Sequence, residues 1–210
     1  MRRPVSGAMD PAGGAHATAD AAHAYEHHAH AFLAGRDASG IGARVIRDWC
    51  ATLPPGATLI ELACGGGYPV TRVLREAGLR VWAVDSSPTL LATFAQRFPE
   101  IPVQCAKVQT SDFFGRTFDA AIAVGLIFLL PEAEQVALIA RVAQILEPGG
   151  RFLFMAPVER GEWQDLNTGL GCRSLGQAAY EGHLSDAGFR VVATFVDKGA
   201  NHYYDAQRVR

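Results

Sequence analysis

The stretch Glu61-Leu62-Ala63-Cys64-Gly65-Gly66-Gly67 decides the fold of this chain. It ends an apolar run from Thr58 to Ala63, which predicts a short buried strand, and its glycines let the backbone turn sharply beside a ligand. A helix is predicted from Val70 to Ala77, and a second strand from Arg80 ends at Asp85, eighteen positions beyond the last glycine. Strand, glycine turn, helix, strand and terminal acid, in this order, indicate a nucleoside-binding α/β unit.

The start of the predicted helix distinguishes between kinds of nucleoside. A dinucleotide site of the G-x-G-x-x-G type needs a third glycine three positions after Gly67, where the helix packs on the strand and meets the pyrophosphate. Val70 stands at that position, directly after Pro69. These two side chains crowd the helix start, which favours a ligand without a phosphate.

At these motifs the chain resembles the class I S-adenosylmethionine-dependent methyltransferases. The family's first motif has an acid where Glu61 stands, small residues through Ala63, and glycines at Gly65 and Gly67, and its second strand ends in an acid, as at Asp85. The resemblance runs from about residue 25 to residue 157 and includes three further segments. They are Ser86-Ser87-Pro88, the fourth strand at Phe118-Asp119-Ala120-Ala121-Ile122, and a turn at Leu146-Glu147-Pro148-Gly149-Gly150 before a fifth strand. It implies S-adenosylmethionine as the cofactor and methyl transfer as the activity.

The resemblance also implies a set of cofactor contacts. Glu61 would hold the amino end of the methionine part, and Asp85 would accept the ribose hydroxyls. The family usually has an acidic or amide residue after the third strand to bind the adenine amino group. Ala106 stands there, so the backbone at Lys107 and Val108 is expected to bind the adenine edge instead. The other implied contacts are Tyr25, Arg36, Ala63, Gly65, Gly67, Ser86, Val124 and Gly125.

Both acids have an alternative structural role. Glu61 could cap the end of the sheet, and Asp85 could be the N-cap of the helix predicted from Pro88, because Asp before Ser-Ser-Pro is a good helix start. For Asp85 the capping role and the binding role are compatible.

The acceptor site is expected in two segments near the C-terminus and along residues 126–129. Trp163 and Asp165 lie in the connection after the fifth strand, and His202 and Tyr203 open the last strand. His202 is a candidate general base, because an imidazole titrates near neutral pH, and Asp165 is the alternative proton acceptor. The competing interpretation is that His202 and Tyr203 are ordinary residues of an edge strand.

Composition indicates one soluble domain and excludes several classes. The chain has 210 residues, 49% of them hydrophobic, which suits a single domain with a full core. Its formal charge of -2 gives no net positive charge to attract nucleic acid. The longest apolar stretch, Ala120 to Leu130, is too short to span a membrane. Its four cysteines lack disulfide or metal spacing, so we expect a protein of the reducing cytoplasm. We also expect a monomer or a homodimer.

Histidines near the start of the chain invite a metal interpretation. His23, His27 and His30 are spaced to share one helical face. A solvated, alanine-rich helix explains them more simply, and no metal is expected.

The alternation of strands and helices predicts a Rossmann-like, three-layer α/β sandwich. Residues 1–20 are expected to be a disordered leader and residues 21–210 a single methyltransferase domain, with residues 21–53 forming an N-terminal helical lid. A polar loop is expected after Pro157. The resemblance implies a seven-stranded, mostly parallel sheet with an antiparallel last strand, in the order 3-2-1-4-5-7-6.

Three functions remain open from the sequence. A methyltransferase acting on a small molecule is favoured by the single domain and the acidic pI of about 6.4. A protein or RNA methyltransferase would have a basic face, or an Asn/Asp-Pro-Pro-Tyr/Phe tetrad where Gly125-Leu126-Ile127-Phe128 stands. A nicotinamide-dependent oxidoreductase is disfavoured by Val70.

Overall fold

The computed structural model describes residues 21–165 and 168–209, so the leader expected at residues 1–20 lies outside the described residues. The helices are α1 Ala21–His27, α2 Ala29–Asp37, α3 Ala43–Cys50, α4 Val70–Glu76, α5 Pro88–Arg97, α6 Glu132–Ile145 and α7 Gln177–Asp186. The strands are β1 Thr58–Leu62, β2 Arg80–Asp85, β3 Val103–Cys105, β4 Phe118–Ala123, β5 Leu146–Met155, β6 Gly161–Gln164, β7 Gly171–Ser174, β8 Phe189–Val196 and β9 His202–Arg208. Two short 3-10 turns cover Phe113–Gly115 and Ile127–Leu129.

Seven strands form one sheet in the order β3-β2-β1-β4-β5-β9-β8. The first five are parallel, and β9 runs antiparallel to both of its neighbours. The predicted order is confirmed once β6 and β7, which form a separate two-stranded sheet, are left out of the count. The carboxyl ends of β1, β2 and β4 therefore meet at one edge, where ligands bind in open α/β sheets.

The sheet is covered on both faces, as the three-layer prediction requires. Leu59 and Ile60 are neighbours on β1, and both are fully buried, but they belong to different core clusters because successive strand residues point to opposite faces. One cluster includes side chains of α6 and α7, and the other includes side chains of α3 and α4. The central strands are therefore apolar on both faces, as in buried parallel sheets.

Three elements differ from the sequence prediction. The alanine-rich helix expected around His23, His27 and His30 is two helices, α1 and α2, which are separated at His28. The turn expected at Leu146–Gly150 is part of β5, where Leu146 pairs with Phe118 before an irregularity in the register. The polar loop expected after Pro157 contains the β6–β7 hairpin. Most of the hairpin's side chains are exposed, so it lacks the apolar alternation that predicts a strand.

Within the ranges 21–165 and 168–209, no helix combines the length and the apolar character needed to cross a membrane.

Candidate active site

A small cavity lies where β1 and β2 end. Asp85 and Ser86 line it together with Ala63, which follows β1 and has a positive φ of 58°. The cavity measures about 50 Å³, which is room for a few water molecules. Its full lining is Ala22, Ala63, Asp85, Ser86, Ala106, Lys107, Val108, Gln109 and Leu126. The structure thus brings together five of the residues predicted to contact the cofactor.

Asp85 ties the two walls of this cavity together. It is 7% exposed, and its carboxylate accepts hydrogen bonds from the backbone N–H of Gly65 and of Ser87, each at 2.8 Å. Burial raises the pKa of Asp85 although these bonds oppose the change. The N-cap of α5 is Ser87, whose hydroxyl oxygen accepts from the N–H of Leu90 at 3.1 Å. The alternative role of Asp85 as the N-cap is therefore wrong, and its carboxylate instead links the glycine turn to the start of α5.

Glu61 is the second buried acid at this edge. It is 3% exposed, and the hydroxyl of Thr71 on α4 donates to it at 2.6 Å. Burial raises the pKa of Glu61 to about 8, and the hydrogen bond from Thr71 and the charge of Arg36 offset only part of that rise. The site therefore holds a carboxyl group that lacks sufficient positive charge nearby.

Arg36, at the end of α2, lies among acidic and phenolic groups. Burial lowers the pKa of its guanidinium, and the fields of Tyr203, Glu61, Tyr25 and Asp197 oppose that change. The half-buried cation thus lies near Glu61, the residue expected to hold the amino end of the methionine part.

The glycine turn is packed against neighbouring side chains. A Cβ on Gly66 would lie 2.2 Å from Leu33 of α2, and a Cβ on Gly67 would lie 2.4 Å from Phe98. Gly67 also has a φ of 87°, which favours glycine. Space and backbone conformation therefore both require glycine here.

Two polar contacts fasten α1 and α2 to α5. The carboxylate of Glu26 accepts from the hydroxyl of Ser87, and from the hydroxyl and N–H of Thr89 at 2.6 and 3.2 Å. Asp37 makes a bidentate pair with Arg97 at 2.6 and 2.8 Å. Arg97 also donates to the carbonyl of Gly66 at 3.0 Å. Sequence reasoning missed the contacts of Glu26 and Asp37 because their partners lie about sixty positions away, and no local pattern marks them.

Two further predicted contacts lie next to the small cavity and not in its lining. Val124 packs against the core cluster on the side of α3 and α4. Gly125 has a φ of 74°, which lets the chain turn after β4. The next residue, Leu126, lines the cavity although it was expected only as part of the acceptor wall.

A large cavity of about 810 Å³ adjoins the small one and shares Lys107 and Gln109 with it. The β6–β7 hairpin forms one wall, on which Trp163 is 36% exposed, with its ring centroid 5.3 Å from that of Phe128. Its lining is Ala21, Lys107, Gln109, Leu129, Leu130, Pro131, Glu134, Glu162, Trp163, Gln164, Leu170, Gly171, Cys172 and Arg173. A volume of this size suits a small organic ligand.

The other residues predicted for catalysis do not line this cavity. Asp165 follows the lining residue Gln164. It accepts from the hydroxyl of Tyr25 at 3.3 Å and from the N–H and hydroxyl of Thr168 at 2.8 and 2.7 Å. His202 is half-buried at the start of β9 and lines neither cavity.

Tyr203 is 1% exposed and also lines neither cavity. Its hydroxyl donates to Asp197 at 2.8 Å, and burial raises its pKa.

In the part of the chain that the structure describes, no cluster of three or more His, Cys, Asp or Glu side chains could hold a metal ion. His23, His27 and His30 are all exposed.

Comparison with known proteins connects this geometry to a family. Residues 59–150 match the family model of a methyltransferase domain. A ubiquinone biosynthesis O-methyltransferase from Xanthomonas campestris pv. campestris (strain B100) is 27% identical over 156 residues, which cover 72% of this chain and 56% of that protein. The chain thus spans little more than half the length of such relatives.

Solved structures share the fold at low sequence identity. A 1,6-didemethyltoxoflavin-N1-methyltransferase from Burkholderia thailandensis, with S-adenosylhomocysteine bound, has a TM-score of 0.69 and 21% identity, and the match covers 99% of this chain and 94% of that one. A magnesium protoporphyrin IX methyltransferase from Synechocystis PCC 6803, with S-adenosylmethionine bound, has a TM-score of 0.63 and 18% identity over 79% and 77% of the two chains. These likenesses show a shared fold.

The matched residues 59–150 contain the glycine turn, Glu61, Asp85 and the segments that line the small cavity after β3 and β4. The chain is therefore similar to methyltransferases over residues 59–150, and it shares the fold of methyltransferases whose structures hold S-adenosylmethionine.

Proposed function

We propose that this chain transfers a methyl group from S-adenosylmethionine to a small molecule held in the large cavity. The observation that carries the proposal is the adjacency of the two cavities, which share Lys107 and Gln109 at the carboxyl edge of the sheet. A nucleoside bound beside Asp85 would thus have the second, larger space next to it.

The side chains at the small cavity fit the chemistry of the cofactor. A ribose offers hydroxyl donors, for which Asp85 supplies carboxylate lone pairs beyond those that its two backbone donors use. An amino acid group carries one ammonium and one carboxylate, and Glu61 and Arg36 supply the opposite charges. The raised pKa of Glu61 supports this assignment, because a bound ammonium would supply the positive charge that the buried carboxyl lacks.

When bound, S-adenosylmethionine supplies an electrophilic methyl group on a sulfonium. The protein needs no covalent nucleophile for such a displacement, so its residues align the acceptor and exclude water. Trp163 and Leu129 would cover the acceptor. Asp165 is the better placed candidate for taking the acceptor's proton, because it adjoins a lining residue, whereas His202 lines neither cavity.

We further propose that residues 21–53 act as a lid. The small cavity is too small for a nucleoside, and Ala22 of α1 forms part of its wall. Cofactor entry would therefore need α1 to move, which the polar contacts with α5 would allow, one partly buried at Glu26 and one exposed at Asp37.

A small acceptor is preferred over a macromolecule because the large cavity is bounded by a hairpin on one side and by α1 on another. The formal charge of -2 also gives no electrostatic attraction for RNA.

Incubation with S-adenosylmethionine labelled on its methyl group tests the proposal. The label should pass into the low-molecular-mass fraction of a cell extract and not into its protein or RNA fractions. Trp163→Leu should reduce this transfer while cofactor affinity stays the same. Label that passes mainly into protein or RNA would contradict the proposed acceptor class.

A further inference from the structure

We propose that the acceptor is a neutral molecule with a planar conjugated ring system and a hydroxyl or N–H group on that ring. The inference rests on the proposed function only in treating the large cavity as the acceptor site. Three properties of the cavity wall carry it: its aromatic surface, its charge balance and one hydrogen-bonded polar pair.

The aromatic surface favours a flat ligand. Trp163 is exposed, and Phe128 packs against it at a ring-centroid distance of 5.3 Å and an interplanar angle of 49°. An indole held in one orientation by a neighbouring ring offers a pre-formed face for stacking, and such ring pairs gain energy beyond that of area burial. Leu129, Leu130 and Leu170 add apolar lining that disfavours a strongly hydrated ligand such as a sugar.

The charges on the wall cancel. Among the described residues that line the cavity, the charged ones are Lys107, Glu134, Glu162 and Arg173, and their formal charges sum to zero. Glu162 and Arg173 pair with each other across the hairpin at 2.5 Å. A buried charge needs a partner, and a balanced wall offers no surplus charge to an anionic or cationic acceptor. The wall therefore fits a neutral one.

The polar pair gives the ligand one directed contact. Gln109 donates to Glu134 at 2.6 Å, and both residues line the cavity. A carboxylate has more lone pairs than this one bond uses, so Glu134 can accept from a hydroxyl or N–H of the ligand. Gln109 also lines the small cavity, so this contact lies on the side of the large cavity that faces the cofactor site.

Calorimetric titration with a matched set of bicyclic probes tests the inference, both with and without saturating S-adenosylhomocysteine. The set is a naphthol, the corresponding naphthoic acid, the corresponding naphthylmethylammonium and the saturated decalinol. The naphthol should bind at least about tenfold more tightly than either charged probe, because neither charge would find a partner. It should also bind about three- to tenfold more tightly than decalinol, through stacking.

Two variants identify the site of binding. Trp163→Leu should remove the preference for the naphthol over decalinol and leave S-adenosylhomocysteine affinity unchanged. Glu162→Gln leaves Arg173 without its carboxylate partner and should improve naphthoate binding about two- to fivefold, the range expected for an exposed ion pair. Glu100→Gln is the matched control, because Glu100 also pairs with an arginine, Arg75, at 2.5 Å, and it lines neither cavity.

The inference is overturned if naphthoate or decalinol binds the wild-type protein as tightly as the naphthol does, or if the naphthol does not bind. It is also overturned if Glu100→Gln changes naphthoate binding as much as Glu162→Gln does. Failure of S-adenosylhomocysteine to bind would instead contradict the proposed function, and the titrations without it would still decide the preference for a neutral, flat ligand.

Discussion

At the scale of single residues, the site is governed by two buried acids, and Glu61 makes a measurable prediction. Its pKa of about 8 means that the carboxyl is protonated at neutral pH before the cofactor binds. A bound ammonium favours the charged form, so binding should release nearly one proton, and affinity should rise with pH up to about the pKa of Glu61. Calorimetry at neutral pH in buffers of different ionisation enthalpy measures this release.

Glu61→Gln provides the control for that experiment. It keeps an oxygen that can accept from Thr71, but it has no proton to release. Proton release that is unchanged in this variant would assign the titration to another group.

Asp85 makes the second residue-scale prediction. Asp85→Asn removes the charge that would accept the ribose hydroxyls, and hydrogen bonds to a charged group contribute about 1.5–3 kcal/mol, so cofactor affinity should fall roughly ten- to a hundredfold. Equilibrium dialysis with labelled S-adenosylhomocysteine measures the change. Unaltered affinity in a folded variant would limit Asp85 to holding Gly65 and Ser87 in place.

Tyr203 is a third case, in which burial argues for structure over catalysis. Its hydroxyl donates to Asp197, so Tyr203→Phe should cost about 1–2 kcal/mol of unfolding free energy and leave turnover nearly unchanged. Urea unfolding and a methyl-transfer assay, measured side by side, separate the two effects. A large loss of turnover without loss of stability would contradict this structural role and support a catalytic role for Tyr203.

At the scale of elements, α1 and α2 make the prediction that tests the lid. Glu26 and Asp37 hold these helices on α5, and α1 covers the small cavity. In hydrogen exchange, residues 21–37 should be less protected without S-adenosylhomocysteine than with it, because entry requires them to open. Glu26→Gln should widen that difference by weakening the contact in the cofactor-free protein. Equal protection in both states would reject the lid.

The elements also mark where sequence reasoning succeeded and where it failed. The strands β1 and β2 are apolar and end at a glycine turn and an acid, so their local pattern alone predicts them. The β6–β7 hairpin is mostly exposed, and it is held by its own pairing and by contacts with distant residues, such as Phe128 with Trp163 and Gln135 with the carbonyl of Arg173, which no periodicity reveals. The contacts of Glu26 and Arg97 are equally hidden, because their partners come together only in the folded chain.

At the scale of the whole molecule, the topology was predictable because each strand–helix–strand unit has the same right-handed crossover. Alternating apolar strands and amphipathic helices require right-handed crossovers, which give the parallel order through β5. The antiparallel position of β9 between β5 and β8 came from family resemblance, since two neighbouring strands alone do not fix which one enters the sheet. The size of the large cavity could not be predicted, because it depends on how the hairpin, α1 and the turn at Ile127–Leu129 meet.

The most direct test of the central claim is the ligand preference of the whole chain. Val70 stands where a pyrophosphate site needs a glycine, and Glu61 and Asp85 lie at the same edge of the sheet. S-adenosylmethionine and S-adenosylhomocysteine should therefore each raise the melting temperature in a thermal-shift measurement, because they bind the folded state alone. NAD and NADP at the same concentration should leave it unchanged. Stabilisation by NAD, with no response to S-adenosylmethionine or S-adenosylhomocysteine, would contradict the account.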